Sequence, residues 1–201
     1  MAIDVSEGNE NLQQVDWSTI PRPQDDGAAE HLTGRSVTSI SLRTSDESQV
    51  NIADLDGRTI IYAYPMTARP DTPLPDGWNM IPGARGCTPQ SCSFRDHMQE
   101  ITSLGVQHLY GLSTQETSYQ QESASRLHLP FLLLSDYKLQ LQKALNLPVM
   151  TVEGTILLKR LTMVIDDGTI TKVFYPVFPP DNNAADIISW LKEHRLINRN
   201  I

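Results

Sequence analysis

Thr59–Tyr64 (TIIYAY) is an almost unbroken apolar run ended by Pro65, with no alternation of polar and apolar residues. A strand of that composition has no face to turn to water, so it belongs in the middle of a sheet that is covered on both sides. The segments around it supply the covering layers. Phe94, Met98, Ile101 and Leu104 recur at helical spacing, and Gly105 closes that helix. Ser113-Thr114-Gln115-Glu116 reads as a capping box opening a polar helix that runs to about Leu127. A short helix is expected from about Lys138 to Leu145. Ala184, Ile187, Ile188 and Leu191 give an amphipathic C-terminal helix with Asn183 as its N-cap.

Further strands are expected at Val37–Leu42, Val50–Ile52, Val106–Leu112 and Phe131–Leu134. Thr155–Ile165 and Thr169–Phe174 are expected to be two more, joined by a hairpin turn at Asp166-Asp167-Gly168. The predicted order is β-β-β-α-β-α-β-α-β-β-α, one mixed sheet flanked by helices. With 201 residues the chain is long enough for one domain with a substantial core and short for two.

The net charge of −8 argues against a nucleic-acid binder, which needs a basic face to meet phosphates. No apolar run approaches the ~18–20 residues of a membrane-spanning helix. Met1–Glu7 has neither a basic start nor an apolar stretch, so a cytoplasmic location is expected. The acidity is concentrated: residues 1–30 hold seven acids and one base, and the remaining 171 residues are nearly balanced. Residues 1–33 are therefore expected to be an acidic extension and 34–201 the folded domain. Trp17 and Ile20 either pin the extension to the body or leave it partly disordered. Residues 66–86 form a long Pro- and Gly-rich loop, of a length that is usually functional or disordered.

There are two cysteines, five positions apart in Gly86-Cys87-Thr88-Pro89-Gln90-Ser91-Cys92. That is neither a secreted disulfide framework nor a C-x-x-C motif. Cys87 follows the buried strand and a glycine-rich turn and opens a helix, with Pro89 in the first turn where proline is tolerated. Unpaired N–H groups and the positive end of the helix dipole favour a thiolate there, and such settings lower a cysteine pKa from about 8.5 toward roughly 3.5–7.5. Arg85 adds positive charge nearby. Seven residues separate Cys87 from Phe94, which turns both toward the core side of the helix.

Cys92 lies about 140° further round, at a Cα separation of roughly 8.6 Å in an intact helix. A disulfide needs no more than about 7 Å. The pair therefore bonds only if the start of the helix unwinds, and a redox-switched helix start is expected. Otherwise both are small buried hydrophobes. His97 follows at the same interval, but steps of about 140° do not bring three ligands onto one zinc ion. There is no Gly-x-Ser-x-Gly nucleophile elbow, no Gly-x-Gly-x-x-Gly and no P-loop.

The segment from Gly86 to Asp96 resembles the active-site helix of the peroxiredoxins, closest to the peroxiredoxin Q or bacterioferritin-comigratory type. Tyr64-Pro65, the Leu129–Asp136 stretch (LPFLLLSD) and the Lys159–Asp166 stretch (KRLTMVID) are similar to further elements of that family, in the same order. The resemblance spans about residues 34–195 and implies a thioredoxin-like fold and a thiol-dependent peroxidase, acting on hydrogen peroxide or organic hydroperoxides. It implies Cys87 as the peroxidatic nucleophile, Cys92 as the resolving cysteine and Arg160 as the arginine supporting thiolate and peroxide. It also implies recycling by thioredoxin or a glutaredoxin-type reductant, no metal or organic cofactor, and a monomer or homodimer.

The sequence departs from the family pattern at the threonine three residues before the cysteine, where Ala84 stands, and at the proline of the same motif, where Met80 stands. Thr67 is the expected substitute hydroxyl if the 66–86 loop folds back, with Thr88 a weaker candidate. Trp78 and Met80 either shape the peroxide pocket or pin the loop. Arg160, expected inside an apolar strand, would be a buried charge in need of a partner, and a thiolate can be one. Two other readings stay open: a thiol–disulfide oxidoreductase that does not reduce peroxide, and a non-catalytic redox sensor.

Overall fold

The computed structural model describes residues 15–195. Its main sheet has seven strands: β1 (Ser41–Thr44), β2 (Gln49–Asn51), β3 (Arg58–Ala63), β4 (Val106–Ser113), β5 (Leu132–Ser135), β8 (Leu161–Asp166) and β9 (Thr169–Phe174). They lie in the order β2-β1-β5-β4-β3-β8-β9, with β6 (Val149–Val152) and β7 (Thr155–Leu158) forming a separate two-stranded ribbon. Strands β3, β4 and β5 are parallel, while β1 and β8 run antiparallel to their neighbours β5 and β3. The helices are α1 (Cys87–Asp96), α2 (Met98–Ser103), α3 (Thr117–Arg126), α4 (Gln140–Leu145) and α5 (Asn183–Glu193).

All six residues of β3 are buried, as its composition demands. Ile61 and Ala63 face one core with Leu112, Leu134, Leu141 and Met163. Ile60 and Tyr62 face the other, with Tyr64, Phe94, Ile101 and Ile187, beneath α1, α2 and α5. The period-two alternation of a strand divides its side chains between two cores. Because β3 and β4 are parallel, their C-terminal ends share one edge of the sheet, and α1 starts just beyond that edge.

The expected strand Thr155–Ile165 is two strands. β7 pairs with β6 in the ribbon, β8 pairs with β3 in the main sheet, and the chain changes sheets at Lys159-Arg160. No glycine or proline stands at the change; the Lys159 N–H donates to Pro148 O at 2.8 Å, one step beyond the Val149–Leu158 pair, and the chain leaves the ribbon's ladder after it. The first expected strand lies later than Val37–Leu42, at Ser41–Thr44. The expected capping box is not used: Ser113 is the last residue of β4, its hydroxyl accepts from the Gln115 N–H and from Gln120, and α3 begins at Thr117. The helix expected to end at Gly105 breaks at His97 into α1 and α2.

The acidic extension, over its described residues, lies against the body. Leu32 and Ala29 join the first core, and Ile20 is buried. Trp17 meets Phe178 edge-on at 5.9 Å, and the Arg22 guanidinium lies 5.1 Å above the same ring. The 66–86 loop is also anchored. Trp78 is buried in a small third core with Ala84, Val152 and Leu157, whereas Met80 is exposed. Trp78 thus pins the loop to the β6–β7 ribbon, and Met80 faces solvent. Among the described residues no helix is long and apolar enough to cross a membrane.

Candidate active site

Gly86 is the N-cap of α1, with φ of 107°. That backbone favours glycine, and so does the space: a Cβ there would come within 2.6 Å of Pro180 Cγ and 2.7 Å of Trp17 Cη2. Cys87 is therefore delivered as the first residue of α1, 4% exposed, on the core face beside Tyr64 and Phe94. The first turn of a helix presents N–H groups with no partner inside the helix, and the helix dipole makes that end favourable to negative charge.

Arg160 meets this end of the helix. Its Nη2 donates to Cys87 Sγ at 3.2 Å and also reaches the carbonyl oxygens of Gly83, Ala84 and Arg85 at 3.3, 3.1 and 3.2 Å. Its Nη1 donates to Gln90 Oε1. Its Nε is buried with no hydrogen-bond partner among the described residues. Arg160 is 2% exposed yet is not inside a strand: it projects from the break between β7 and β8. Release from both ladders lets residue 160 turn inward onto the 83–85 carbonyls. The expectation of a buried arginine beside the sulfur agrees with the structure, and the expected backbone setting does not.

The orientation of Gln90 follows from its neighbours. Arg160 is a donor only, so Gln90 must present its oxygen to it, and its amide nitrogen donates to Asn183 Oδ1 at 2.9 Å. The Thr162 hydroxyl donates to the same Oδ1 at 2.7 Å. Asn183 is thus not the expected N-cap of α5. Asn182 holds that position, and Asn183 is 1% exposed and turned into the site. Gln90, Asn183 and Thr162 carry no sequence signal of their own; the only hint was a polar residue at a core-facing position of an amphipathic helix.

Thr67 is buried, but its hydroxyl and its N–H both donate to Gln115 Oε1, at 3.2 and 2.9 Å, and Gln115 Nε2 returns a bond to Thr67 O at 3.0 Å. That reciprocal bracket ties the long loop to the β4–α3 turn. The hydrogen-bond partners of Cys87 Sγ among the described residues are Arg160 Nη2 and Ala84 O, the latter at 3.5 Å. Neither Thr67 nor Thr88 supplies a hydroxyl to the sulfur, and of Arg85 only the backbone oxygen takes part.

Cys92 lies in the same helix, 6% exposed. Both cysteines are free. Burial raises the Cys92 thiol above its ordinary range, an effect that Arg95 and Arg126 only partly oppose. Between them Ser91 accepts from the Tyr62 hydroxyl at 3.0 Å, and the Tyr62 ring stacks on Phe94 at 4.4 Å. Burial also pushes the hydroxyls of Tyr62 and Tyr64 well above the usual phenol range, so both stay protonated. A cavity of about 100 Å³ beside Arg160 is lined by Pro23, Gln24, Pro82, Gly83, Met150, Lys159, Tyr175 and Pro176.

A family model described as Redoxin matches residues 32–188. The chain is similar to Peroxiredoxin Bcp of Escherichia coli (strain K12), with 33% identity over 162 residues that make up 77% of this chain and 91% of that protein. It is similar to Peroxiredoxin Q, chloroplastic, of Oryza sativa subsp. japonica, with 27% identity over 161 residues, 79% of this chain and 66% of that one. Among solved structures, Peroxidoxin BcpB from Mycobacterium tuberculosis superposes with a TM-score of 0.66 at 23% identity, covering 82% of this chain and 98% of that one. Peroxiredoxin Q of Xanthomonas campestris does so with a TM-score of 0.63 at 20% identity, covering 80% and 94%. The expected thioredoxin-like fold is borne out.

Proposed function

This chain belongs to the Redoxin family and within it to the peroxiredoxins, which are thiol-dependent peroxidases, and on that premise we propose that Cys87 is the peroxidatic nucleophile and Cys92 its resolving partner. The observation that carries the assignment is the Arg160 guanidinium at 3.2 Å from Cys87 Sγ, in a buried site at a helix N-terminus. The two alternatives, an oxidoreductase that spares peroxide and a non-catalytic sensor, are not favoured by these relatives.

The Cys87 thiolate attacks one peroxide oxygen. The O–O bond breaks, its electron pair leaves on the other oxygen, and that oxygen takes up a proton to depart as water or an alcohol. Arg160 holds negative charge on sulfur before the step, and its unpaired Nε–H is a donor available to a substrate oxygen. Gln90, fixed by Asn183, keeps the guanidinium turned toward the sulfur. The Cys87 sulfenic acid then condenses with the Cys92 thiol, forming the disulfide and releasing water. Both cysteines stand in one continuous helix, so this step requires the first turns of α1 to unwind. A dithiol protein of the thioredoxin or glutaredoxin type restores both thiols by exchange. We place the cycle in the cytoplasm, where such reductants operate, in a monomer or homodimer without a bound cofactor.

The test is peroxide consumption with a thioredoxin recycling system. Wild type should turn over, and Cys87→Ser should fall by more than about 10⁴-fold, to the uncatalysed rate. Cys92→Ser should complete one turnover and stop as the sulfenic acid unless a small thiol is supplied. Full activity in Cys87→Ser would remove the assignment.

A further inference from the structure

We infer that Trp17 is a positioning residue of the peroxidase cycle: the segment 17–26 is a strap that holds the first turn of α1 wound, and so sets how long oxidised Cys87 waits before it meets Cys92. The inference rests on the Cys87–Cys92 disulfide reading above and concerns residues that precede the stretch matched by the family, 32–188.

The strap touches α1 where unwinding has to begin. The Trp17 ring and Pro180 form a slot around Gly86 that leaves no room for a Cβ. The Trp17 indole Nε1 donates to Asp181 Oδ2 at 2.8 Å. The Ser93 hydroxyl, from the middle of α1, donates to Asp181 O at 2.6 Å. Asp181 is therefore gripped by the strap on one side and by the helix on the other. Further along, Pro23 lies against Gly83, where a Cβ would be 3.4 Å from its own. The strap thus bears on both ends of the Gly83–Cys87 stretch whose carbonyls hold Arg160.

To form the disulfide, the Cα atoms of residues 87 and 92 must close from roughly 8.6 Å to no more than about 7 Å. That closure turns Cys87 out of α1 and moves Gly86 with it. Gly86 cannot leave its slot unless the indole yields. The wound state is the one in which Cys87 faces Arg160 and peroxide, and the unwound state is the one that resolves. While wound, the sulfenic acid is exposed to a second peroxide molecule, which oxidises it to sulfinic acid and is itself reduced to water or an alcohol. Trp17 thereby biases a two-state element and sets the partition between disulfide and sulfinic acid.

The experiment uses the full chain, reduced, as wild type, Trp17→Ala and Trp17→Phe. Each is driven with hydrogen peroxide under thioredoxin recycling, and the sulfinic and disulfide forms are measured by intact mass after acid quench. The indole bond to Asp181 and the ring packed over Gly86 are each worth about a factor of three in such an equilibrium, about tenfold together. Trp17→Ala should therefore speed disulfide formation and reduce the sulfinic fraction per turnover by about tenfold. Trp17→Phe, which restores a ring over Gly86 without the N–H, should fall between alanine and wild type. A role in folding alone would lower thermal stability without moving this ratio.

An unchanged ratio in a folded Trp17→Ala protein overturns the inference. If circular dichroism shows that the alanine variant does not fold, the phenylalanine variant decides: a shift of about threefold supports the strap, and none overturns it. Absence of a Cys87–Cys92 disulfide in the oxidised wild type is a separate result. It removes the resolving-cysteine reading, and this inference with it.

Discussion

Cys87 and Cys92 share a helix and are buried almost equally, at 4% and 6% exposure, yet their surroundings differ in kind. Cys87 takes a guanidinium bond at the end of α1, where helix N–H groups are unpaired. Cys92 lies mid-helix, where desolvation dominates and holds its thiol protonated. Exposure therefore does not separate the two roles; the donors do. The contrast also gives the cycle an order. In the proposed cycle the site built for negative charge reacts with peroxide, and the site that keeps a neutral thiol waits for the helix to open.

The contrast should break most severely when the guanidinium is removed. Arg160→Met is expected to lower kcat/KM for peroxide by about 10²–10³, the usual cost of one preorganised donor in a closed site. Arg160→Lys should recover little, because a single ammonium cannot serve Sγ, Gln90 and three carbonyls together. Steady-state kinetics checks both, and near wild-type activity in the lysine variant would show that charge alone suffices.

A smaller effect tests the other cysteine. At pH 7, iodoacetamide should modify Cys92 in a Cys87→Ser protein about tenfold more slowly than Cys87 in a Cys92→Ser protein. Because burial raises the Cys92 thiol above the ordinary cysteine value of about 8.5, its rate should still be climbing with pH past that value. Equal rates at pH 7 would erase the distinction drawn between the two sites.

The smallest effect concerns the far end of the strap. The Asp26 carboxylate accepts from Lys159 Nζ at 2.5 Å and the Tyr175 hydroxyl at 2.6 Å, which hold it well below the usual carboxylate range. A depressed folded-state pKa stabilises the fold above the unfolded value of about 4, and that contribution fades as pH falls further. The pair is largely exposed, so Asp26→Asn should cost no more than about 1 kcal/mol at pH 7. In denaturant titrations the difference from wild type should shrink steadily below about pH 4.

Much of the fold was legible because its signals are local. The apolar run of β3, the Asp-Asp-Gly turn between β8 and β9 and the apolar stripe of α5 each declare themselves within a dozen residues. The break at Lys159-Arg160 was not legible. Residues 156–165 are apolar on both sides of it, and the cause of the break is distant: carbonyls 75 to 77 positions earlier that take the guanidinium. The same applies to the site. Cys87, Cys92 and Arg160 stood out by spacing and by resemblance. The inward turn of Asn183 follows from Gln90 and Thr162, which only the folded chain brings to it. Thr67 was misjudged for the same reason, since its partner Gln115 lies 48 residues away.

The small core made by Trp78, Ala84, Val152 and Leu157 has an engineering consequence. The 66–86 loop supplies half of it and the ribbon the other half, so neither is a free-standing attachment. Deleting the loop to shorten the enzyme would uncover oily surface on the ribbon next to the arginine's own backbone. A chimera that carries either piece into a more compact relative should be soluble only when both travel together.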